Sequence, residues 1–247
     1  GTVTPDHRLP ATACLLQDKL GARNASAFDV VAACSGSLHA MAIIDRFLAT
    51  GKSRYGLAIG AETMSSIVDW TDRSTCVLFG DAAGAAILGA SDGNDGFLDV
   101  DLYADGSQWQ SLWIPAGGSK VPLTAAGLAE HADRVKMKGR EVFRYAVRAL
   151  VDAAKKILQR HGVRPADIGH VVAHQANLRI IEAVAERLDI PMEQFVTNIQ
   201  RYGNTSSASL LVTFDEARRA GVLQDGELVL MMSIGAGFAW SCALYRM

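Results

Sequence analysis

The sequence predicts an α/β protein in which a mainly parallel sheet carries helices on both faces. Three observations lead there. Short continuous apolar runs alternate with longer stretches of 3.6-residue periodicity, the pattern of buried strands joined by crossover helices. Glycines and turn clusters punctuate that alternation. A faint internal echo completes the case. Ser37-Leu38 opens a helix leading to a strand and Ile59-Gly60-Ala61, and Ser209-Leu210 lies in a helix leading to a strand and Ile234-Gly235-Ala236. Such an echo fits two homologous halves packed together.

The elements follow in order. Ala11 to Leu20 carries a short helix pattern stopped by Gly21, and Phe28 to Ala32 reads as a buried strand. Ser37 to Ala49 is a helix with Leu38, Met41, Ala42, Ile44, Phe47 and Leu48 on its apolar face, closed by Thr50-Gly51. Tyr55 to Ile59 is a strand, and Ala82 to Ala90 is a strand of small residues whose composition implies close packing. Residues 91–96 form a turn cluster, Phe97 to Tyr103 a strand, and the Gly/Pro-marked stretch from Asp105 to Leu128 the natural junction between halves. Gly139 to Arg160 is the longest helix, stopped by Gly162. His170 to Ala173, Leu228 to Ser233 and Ala239 to Tyr245 are strands, with helices over Leu178 to Leu188 and Ser206 to Ala220. The chain therefore divides into residues 1–105, holding Cys34, and residues 106–247, holding His174 and Asn204.

Composition narrows the function. In 247 residues, 49% are hydrophobic and 20% charged, which excludes a disordered chain. The 24 Lys and Arg nearly balance 26 Asp and Glu, so the protein is not a general nucleic-acid binder. No run approaches the roughly 18 apolar residues of a membrane span, and the opening residues hold no signal-peptide pattern. Cys14, Cys34, Cys76 and Cys242 form no C-x-x-C pair, so reduced thiols and a cytoplasmic setting are expected. Gly1-Thr2-Val3-Thr4-Pro5-Asp6 reads as the loop leaving a strand, which implies a preceding strand outside this sequence.

Several residues fall where chemistry is done. Cys34 stands where a buried strand meets a helix N-terminus, whose dipole and free N–H groups favour a thiolate. The same position also suits a small buried cysteine. His174 follows another strand, where ligands of α/β proteins bind, and a satisfied half-buried histidine is equally compatible. Asn204, just before a helix, reads by spacing as a cap. Gly235-Ala236-Gly237 offers either oxyanion-binding N–H groups or a tight turn. Gly80-Asp81-Ala82-Ala83-Gly84 lacks the Gly-Lys-Ser/Thr ending of a phosphate loop, and the remaining histidines show no metal spacing. Residues 134–160 hold nine Lys or Arg against Glu141 and Asp152. Arg140, Arg144 and Arg148 share one helix face, either a solvated stripe or a dock for an acidic partner.

Four strings together are more specific than any of these alone: Phe28-Asp29-Val30-Val31-Ala32-Ala33-Cys34-Ser35-Gly36, Phe79-Gly80-Asp81-Ala82-Ala83-Gly84-Ala85-Ala86, His174-Gln175-Ala176-Asn177-Leu178-Arg179-Ile180-Ile181 and Gly203-Asn204-Thr205-Ser206-Ser207-Ala208-Ser209. They resemble the β-ketoacyl-acyl-carrier-protein synthase III family of the thiolase-like superfamily, in the family's order and across essentially the whole chain. The resemblance implies two pseudo-repeated halves in α-β-α-β-α layers with mixed, mainly parallel sheets. It implies roughly another quarter of a chain ahead of Gly1, including a tryptophan that stacks on the adenine of coenzyme A. It implies a homodimer joined through residues 28–32.

The implied activity is decarboxylative condensation of an acyl-coenzyme A, acetyl first among them, with malonyl-acyl carrier protein, initiating fatty-acid synthesis with no cofactor and no metal. Cys34 is the implied nucleophile, and the N–H groups of Cys34 and Ala236 the implied oxyanion hole. His174 and Asn204 are the implied donors to the malonyl thioester. Arg73, Gly139, Phe143, Ala176, Asn177 and Arg179 are implied for coenzyme A, and Arg144, Arg179 and Arg187 for the carrier protein. Three departures from the family pattern stand out: Arg140 beside the coenzyme site, Ser37 after the Cys-x-Gly string, and Leu9 where an aromatic can reach the partner's acyl pocket. Two other readings stay open, an acyltransferase of secondary metabolism and a non-catalytic chain.

Overall fold

The structure, a computed structural model, describes residues 1–91, 93 and 95–247. In chain order, α1 (Thr12–Lys19) precedes a 3-10 turn, Ala33–Ser35, which runs into α2 (Gly36–Ala49). β1 (Tyr55–Thr63), α3 (Arg73–Cys76), β2 (Asp81–Gly89) and β3 (Gly96–Ala104) follow. β4 (Leu112–Trp113), α4 (Ala125–Ala129) and β5 (Lys136–Met137) lead to α5 (Gly139–His161). The remainder runs through β6 (His170–Ala173), α6 (Leu178–Leu188), β7 (Phe195–Val196), α7 (Ile199–Tyr202), α8 (Ala208–Arg219), β8 (Leu228–Gly235) and β9 (Ala239–Arg246).

The larger sheet has the order β3-β9-β8-β6-β7. β6 pairs in parallel with β7 and β8, while β9 is antiparallel to both β8 and β3. Four strands therefore share one direction and β9 opposes them. The continuous apolar run in β8 is explained by burial on both faces. Leu230 and Met232 join the core under α5 and α6, whereas Val229 and Met231 join the core under α2 and α8. Successive side chains of a strand point to opposite faces, so one strand feeds two cores. Leu230 is 0% exposed. Leu230→Ala is expected to cost about 2–5 kcal/mol, read as a lower urea midpoint at unchanged slope.

β1 and β2 pair antiparallel in a second sheet on the far side of α2 and α8. Their small residues let α8 approach. A Cβ on Gly84 would meet Leu211 Cβ at 2.8 Å, and one on Gly60 would run into the Ser207 carbonyl. The close packing expected of the small-residue strand thus holds on the α8 face. On the other face Leu57 and Ile87 are exposed. The described residues form four of the five expected layers. The two helices of the internal echo, α2 and α8, lie together in the central one.

One expectation is corrected. Residues 28–32 carry no strand, and Phe28 and Val31 are 49% and 79% exposed. A ladder needs a neighbour to exchange hydrogen bonds with, and among the described residues none pairs with this segment. β3 pairs with β9, so residues 96–104, counted with the first half by the sequence, hydrogen-bond within the sheet of the second. Asp92 and Asn94 of the predicted turn cluster lie outside the described residues. The stretch after residue 105 folds back on the first half. Val135 N–H donates to the Ile67 carbonyl at 2.9 Å, and Lys136 meets Asp69 at 3.1 Å.

Candidate active site

Cys34 lies in the 3-10 turn that feeds α2, with Ala33 before it at φ 47°. A left-handed alanine costs energy, and such strain persists where surrounding contacts hold it. Three buried hydroxyls provide that hold. Ser35 Oγ lies 2.7 Å from Ser233 Oγ on β8 and 2.7 Å from Ser241 Oγ on β9, and these two are 2.8 Å apart. The turn is thus pinned to the hairpin β8–β9. Gly235, at the end of β8, completes the fit: a Cβ there would sit 2.5 Å from the Cys34 nitrogen. Ala236 follows directly, so the two N–H groups expected to bind an oxyanion are on adjoining segments.

Cys34 is 6% exposed. Burial pushes its thiol up to about 12; the Ser206 side chain beside it acts to lower it and the Glu62 carboxylate to raise it. The expectation of a standing thiolate is therefore not met. Loss of hydration and a neighbouring negative charge outweigh the helix N-terminus.

Asn204 is fixed from both sides of its backbone. Its N–H donates to the Leu78 carbonyl at 2.8 Å, and its carbonyl accepts from Gly80 N–H at 3.0 Å. The second string, Phe79 onward, therefore holds the fourth. The Asn204 Oδ1 accepts from Ser206 N–H at 2.8 Å. That bond spends the acceptor and leaves the Nδ2 donors without a partner among the described residues. The capping reading is corrected accordingly: Ser207 is the N-cap of α8. Ser206, at φ 49°, is the second strained residue of the site.

His174 is 5% exposed, and burial lowers it to about 3, so the imidazole is neutral. Its Nδ1 lies 2.5 Å from Ser209 Oγ. Ser209 Oγ donates to the Ser206 carbonyl at 3.0 Å, and that carbonyl also accepts from the Ser209 N–H at 3.3 Å. Both tautomers of the neutral ring are compatible with the Nδ1 contact, and the one with its hydrogen on Nε2 presents a donor toward the site. One loop, 204–209, thus gathers the site: Ser206 N–H bonds the Asn204 side chain, Ser209 Oγ meets His174, and the Ser206 side chain is beside Cys34.

The remaining predicted residues are spread over other elements. Gly139 opens α5 and Asn177 caps α6, accepting from Arg179 N–H at 3.0 Å; these helices pack side by side. Phe143 and Ala176 are half-buried against the core they share. Arg73, Arg144, Arg179 and Arg187 are exposed. Among the described residues Arg140, Arg144 and Arg148 make no ion pair; Arg148 lies over the Tyr145 ring, 5.2 Å from its centre. Ser37 is fully buried with an unbonded hydroxyl, and Leu9 is 87% exposed. Among the described residues no three His, Cys, Asp or Glu side chains could together hold a metal ion, and no helix is long and apolar enough to cross a membrane. Sequence reasoning missed Glu62, Ser206 and Ser209 as parts of the site. An acid ending a buried strand and three serines after Asn204 were the available signals.

Two family models match the chain. The one for 3-oxoacyl-[acyl-carrier-protein (ACP)] synthase III matches residues 28–106, and that for the C-terminal part of the same enzymes residues 158–247. Beta-ketoacyl-[acyl-carrier-protein] synthase III of Xanthomonas campestris pv. campestris strain 8004 is 49% identical over 249 residues, covering 100% of this chain and 74% of that protein. The protein of the same name from Caldanaerobacter subterraneus subsp. tengcongensis is 44% identical, covering 99% and 74%. The crystal structure of 3-oxoacyl-[acyl-carrier-protein] synthase III from Aquifex aeolicus VF5 superposes with a TM-score of 0.90 at 43% identity, covering 100% of this chain and 75% of that one.

Proposed function

Because the chain belongs to the β-ketoacyl-[acyl-carrier-protein] synthase III family, we propose that it condenses acetyl-coenzyme A with malonyl-acyl carrier protein. The family's enzymes are acyltransferases of the thiolase-like fold. The observation that carries the reading to this site is the loop 204–209, which hydrogen-bonds Asn204 and His174 and places the Ser206 side chain beside Cys34.

Cys34 sulfur attacks the acyl thioester, the carbon–sulfur bond to coenzyme A breaks, and the coenzyme leaves as its thiol with the Cys34 proton, so that the acyl group is held as a thioester of Cys34. The N–H groups of Cys34 and Ala236 receive the oxygen that becomes negative in the tetrahedral intermediate. Malonyl carrier protein then enters. His174 Nε2–H and the Asn204 amide donate to its thioester carbonyl as carbon dioxide leaves. The charge that develops there is an enolate, so two fixed neutral donors stabilise the transition state more than the ground state. The carbanion attacks the acyl carbon on Cys34, the carbon–sulfur bond to Cys34 breaks, and the freed sulfur takes up a proton from solvent to restore the thiol.

Arg73, Gly139, Phe143, Ala176, Asn177 and Arg179 are assigned to coenzyme A, and Arg144, Arg179 and Arg187 to the acidic carrier protein. The unpaired basic face of α5 supports the second assignment, since a long-range field speeds encounter with an acidic partner. A homodimer joined through residues 28–32 and a cytoplasmic setting complete the proposal. The curated relatives reported above favour it over an acyltransferase of secondary metabolism or a non-catalytic chain. The test is direct. The full-length protein, given acetyl-coenzyme A and malonyl-carrier protein, is expected to release carbon dioxide and form acetoacetyl-carrier protein. Transfer of the acetyl group to a small amine or alcohol instead would reject it.

A further inference from the structure

The turn that joins β8 to β9 is gripped at both ends. At its near end Gly235 abuts the Cys34 nitrogen, as described above. At its far end stands Phe238, 2% exposed. Phe238 extends the β3–β9 ladder by one step: Asp105 N–H donates to the Phe238 carbonyl at 2.8 Å, and Phe238 N–H donates to the Asp105 carbonyl at 2.6 Å. Ala236 and Gly237 lie between these ends, and Gly237 has a φ of 136°. Glycine moves among backbone conformations closed to other residues. The aim of the Ala236 N–H therefore depends on how firmly both ends of the turn are fixed.

Helix α5 fixes the far end through Tyr145. The Tyr145 ring stacks on Phe238, with centres 4.4 Å apart and planes 8° from parallel. It also meets the Trp240 ring edge-on, 5.9 Å between centres. The Tyr145 hydroxyl donates to Asp105 Oδ2 at 2.6 Å. Asp105 Oδ1 accepts from Ser107 N–H at 2.8 Å and caps a 3-10 turn, Gly106–Ser111. Tyr145 thus grips both members of the last ladder step, one with its ring and the other with its hydroxyl. Burial and the Asp105 bond push the phenol up to about 12, while the same bond heads the causes that lower Asp105 to about 2. Donor and acceptor keep their roles across the pH range between.

We propose that Tyr145 and Asp105 are positioning residues for acyl transfer, holding the turn 236–238 so that the Ala236 N–H stays aimed at the oxygen on which charge develops. The inference rests on the reading of Cys34 as nucleophile and Ala236 as oxyanion donor. Neither Tyr145 nor Asp105 touches the reacting atoms. A donor fixed beforehand needs no reorganisation when the charge appears, whereas a misplacement of about 1 Å can cost about 10²-fold.

The test compares two reactions of one thiol in the full-length protein. Rapid-quench peptide mass follows acetylation of Cys34 across acetyl-coenzyme A concentrations, and its alkylation by iodoacetamide is followed in parallel. Alkylation displaces iodide and develops no oxyanion, so it does not use the Ala236 N–H. Tyr145→Leu, which loses both ring stack and hydroxyl, is expected to lower the maximal acetylation rate by about 10–10²-fold. The half-saturating concentration and the alkylation rate are expected to stay within about twofold, since the lost interaction acts only in the transition state. Tyr145→Phe keeps the stack and is expected to recover part of the rate. Tyr145→Phe and Asp105→Ala remove one shared bond, so the double variant is expected to lose no more than the worse of the two. Acetylation of Tyr145→Phe and Asp105→Ala at the wild-type rate overturns the proposal, even where Tyr145→Leu fails to fold. So does an alkylation rate that falls in step with acetylation, which marks a general disturbance around Cys34. A wild-type protein alkylated but never acetylated on Cys34 overturns the proposal together with the reading of the nucleophile, and only that outcome touches the latter.

Discussion

Cys34→Ala is expected to form no acyl adduct and to lose condensation by at least about 10³-fold, or about 4 kcal/mol of transition-state stabilisation. No second thiol can substitute. Cys14 is exposed, Cys76 is buried as the last residue of the Asp72-capped α3, and Cys242 is fully buried in β9 with its thiol pushed well up by that burial. The hydroxyls that remain, Ser35 and Ser206, are both engaged, and neither is a strong nucleophile. Intact-mass measurement after acetyl-coenzyme A treatment reads the adduct, and product formation reads the condensation. A mass increase on Cys34→Ala equal to that of the wild type would place the acyl group elsewhere and remove the basis of the mechanism.

His174→Ala and Asn204→Ala are each expected to cut decarboxylation and condensation by about 10²–10³-fold, the usual loss when one donor to a developing oxyanion is removed, while both still acquire the acetyl group on Cys34. The double substitution should cost less than the product of the single ones, because the two donors serve one oxygen. The pH profile has a definite sign. His174 is lowered from 6.5 to about 3, so its neutral form persists far below ordinary histidine titration and condensation should show no acid limb near 6.5. Stability moves differently. Below 6.5 the unfolded chain binds a proton on this residue that the folded chain refuses until about 3, so folding weakens steadily as acidity rises through that window. Loss of acyl-adduct formation in His174→Ala would show that the two half-reactions are not divided as described.

Two residues of the candidate site were legible because each follows an apolar run, and such runs are marked in sequence. Cys34 follows an apolar run and precedes a helix; His174 follows another. Their supporting residues carry no such mark. Ser206 meets Glu62 across 144 positions of chain, a separation with no period to detect. Ser206, Ser207, Ser209 and Ser233 look alike on paper, and only packing separates a helix cap from a member of the site. The charge state of Cys34 was misjudged for a related reason. Helix direction can be read from a sequence, but the degree of desolvation and the approach of Glu62 cannot. The segment 28–32 shows the same limit at the level of the fold. Its pattern records a need for cover without recording what supplies it, and α8 meets its own need through Gly60 and Gly84, whose missing side chains were visible as composition.

The closed triangle of Ser35, Ser233 and Ser241 has a consequence for how the nucleophile behaves as conditions change. Three hydroxyls own three hydrogens, and a ring uses every one, whether the donors circulate clockwise or anticlockwise. None of the three ionises in the range where proteins live. The seat beneath the sulfur is therefore blind to acidity, so any response of the enzyme to pH must come from the groups above it and not from a shift of its foundation.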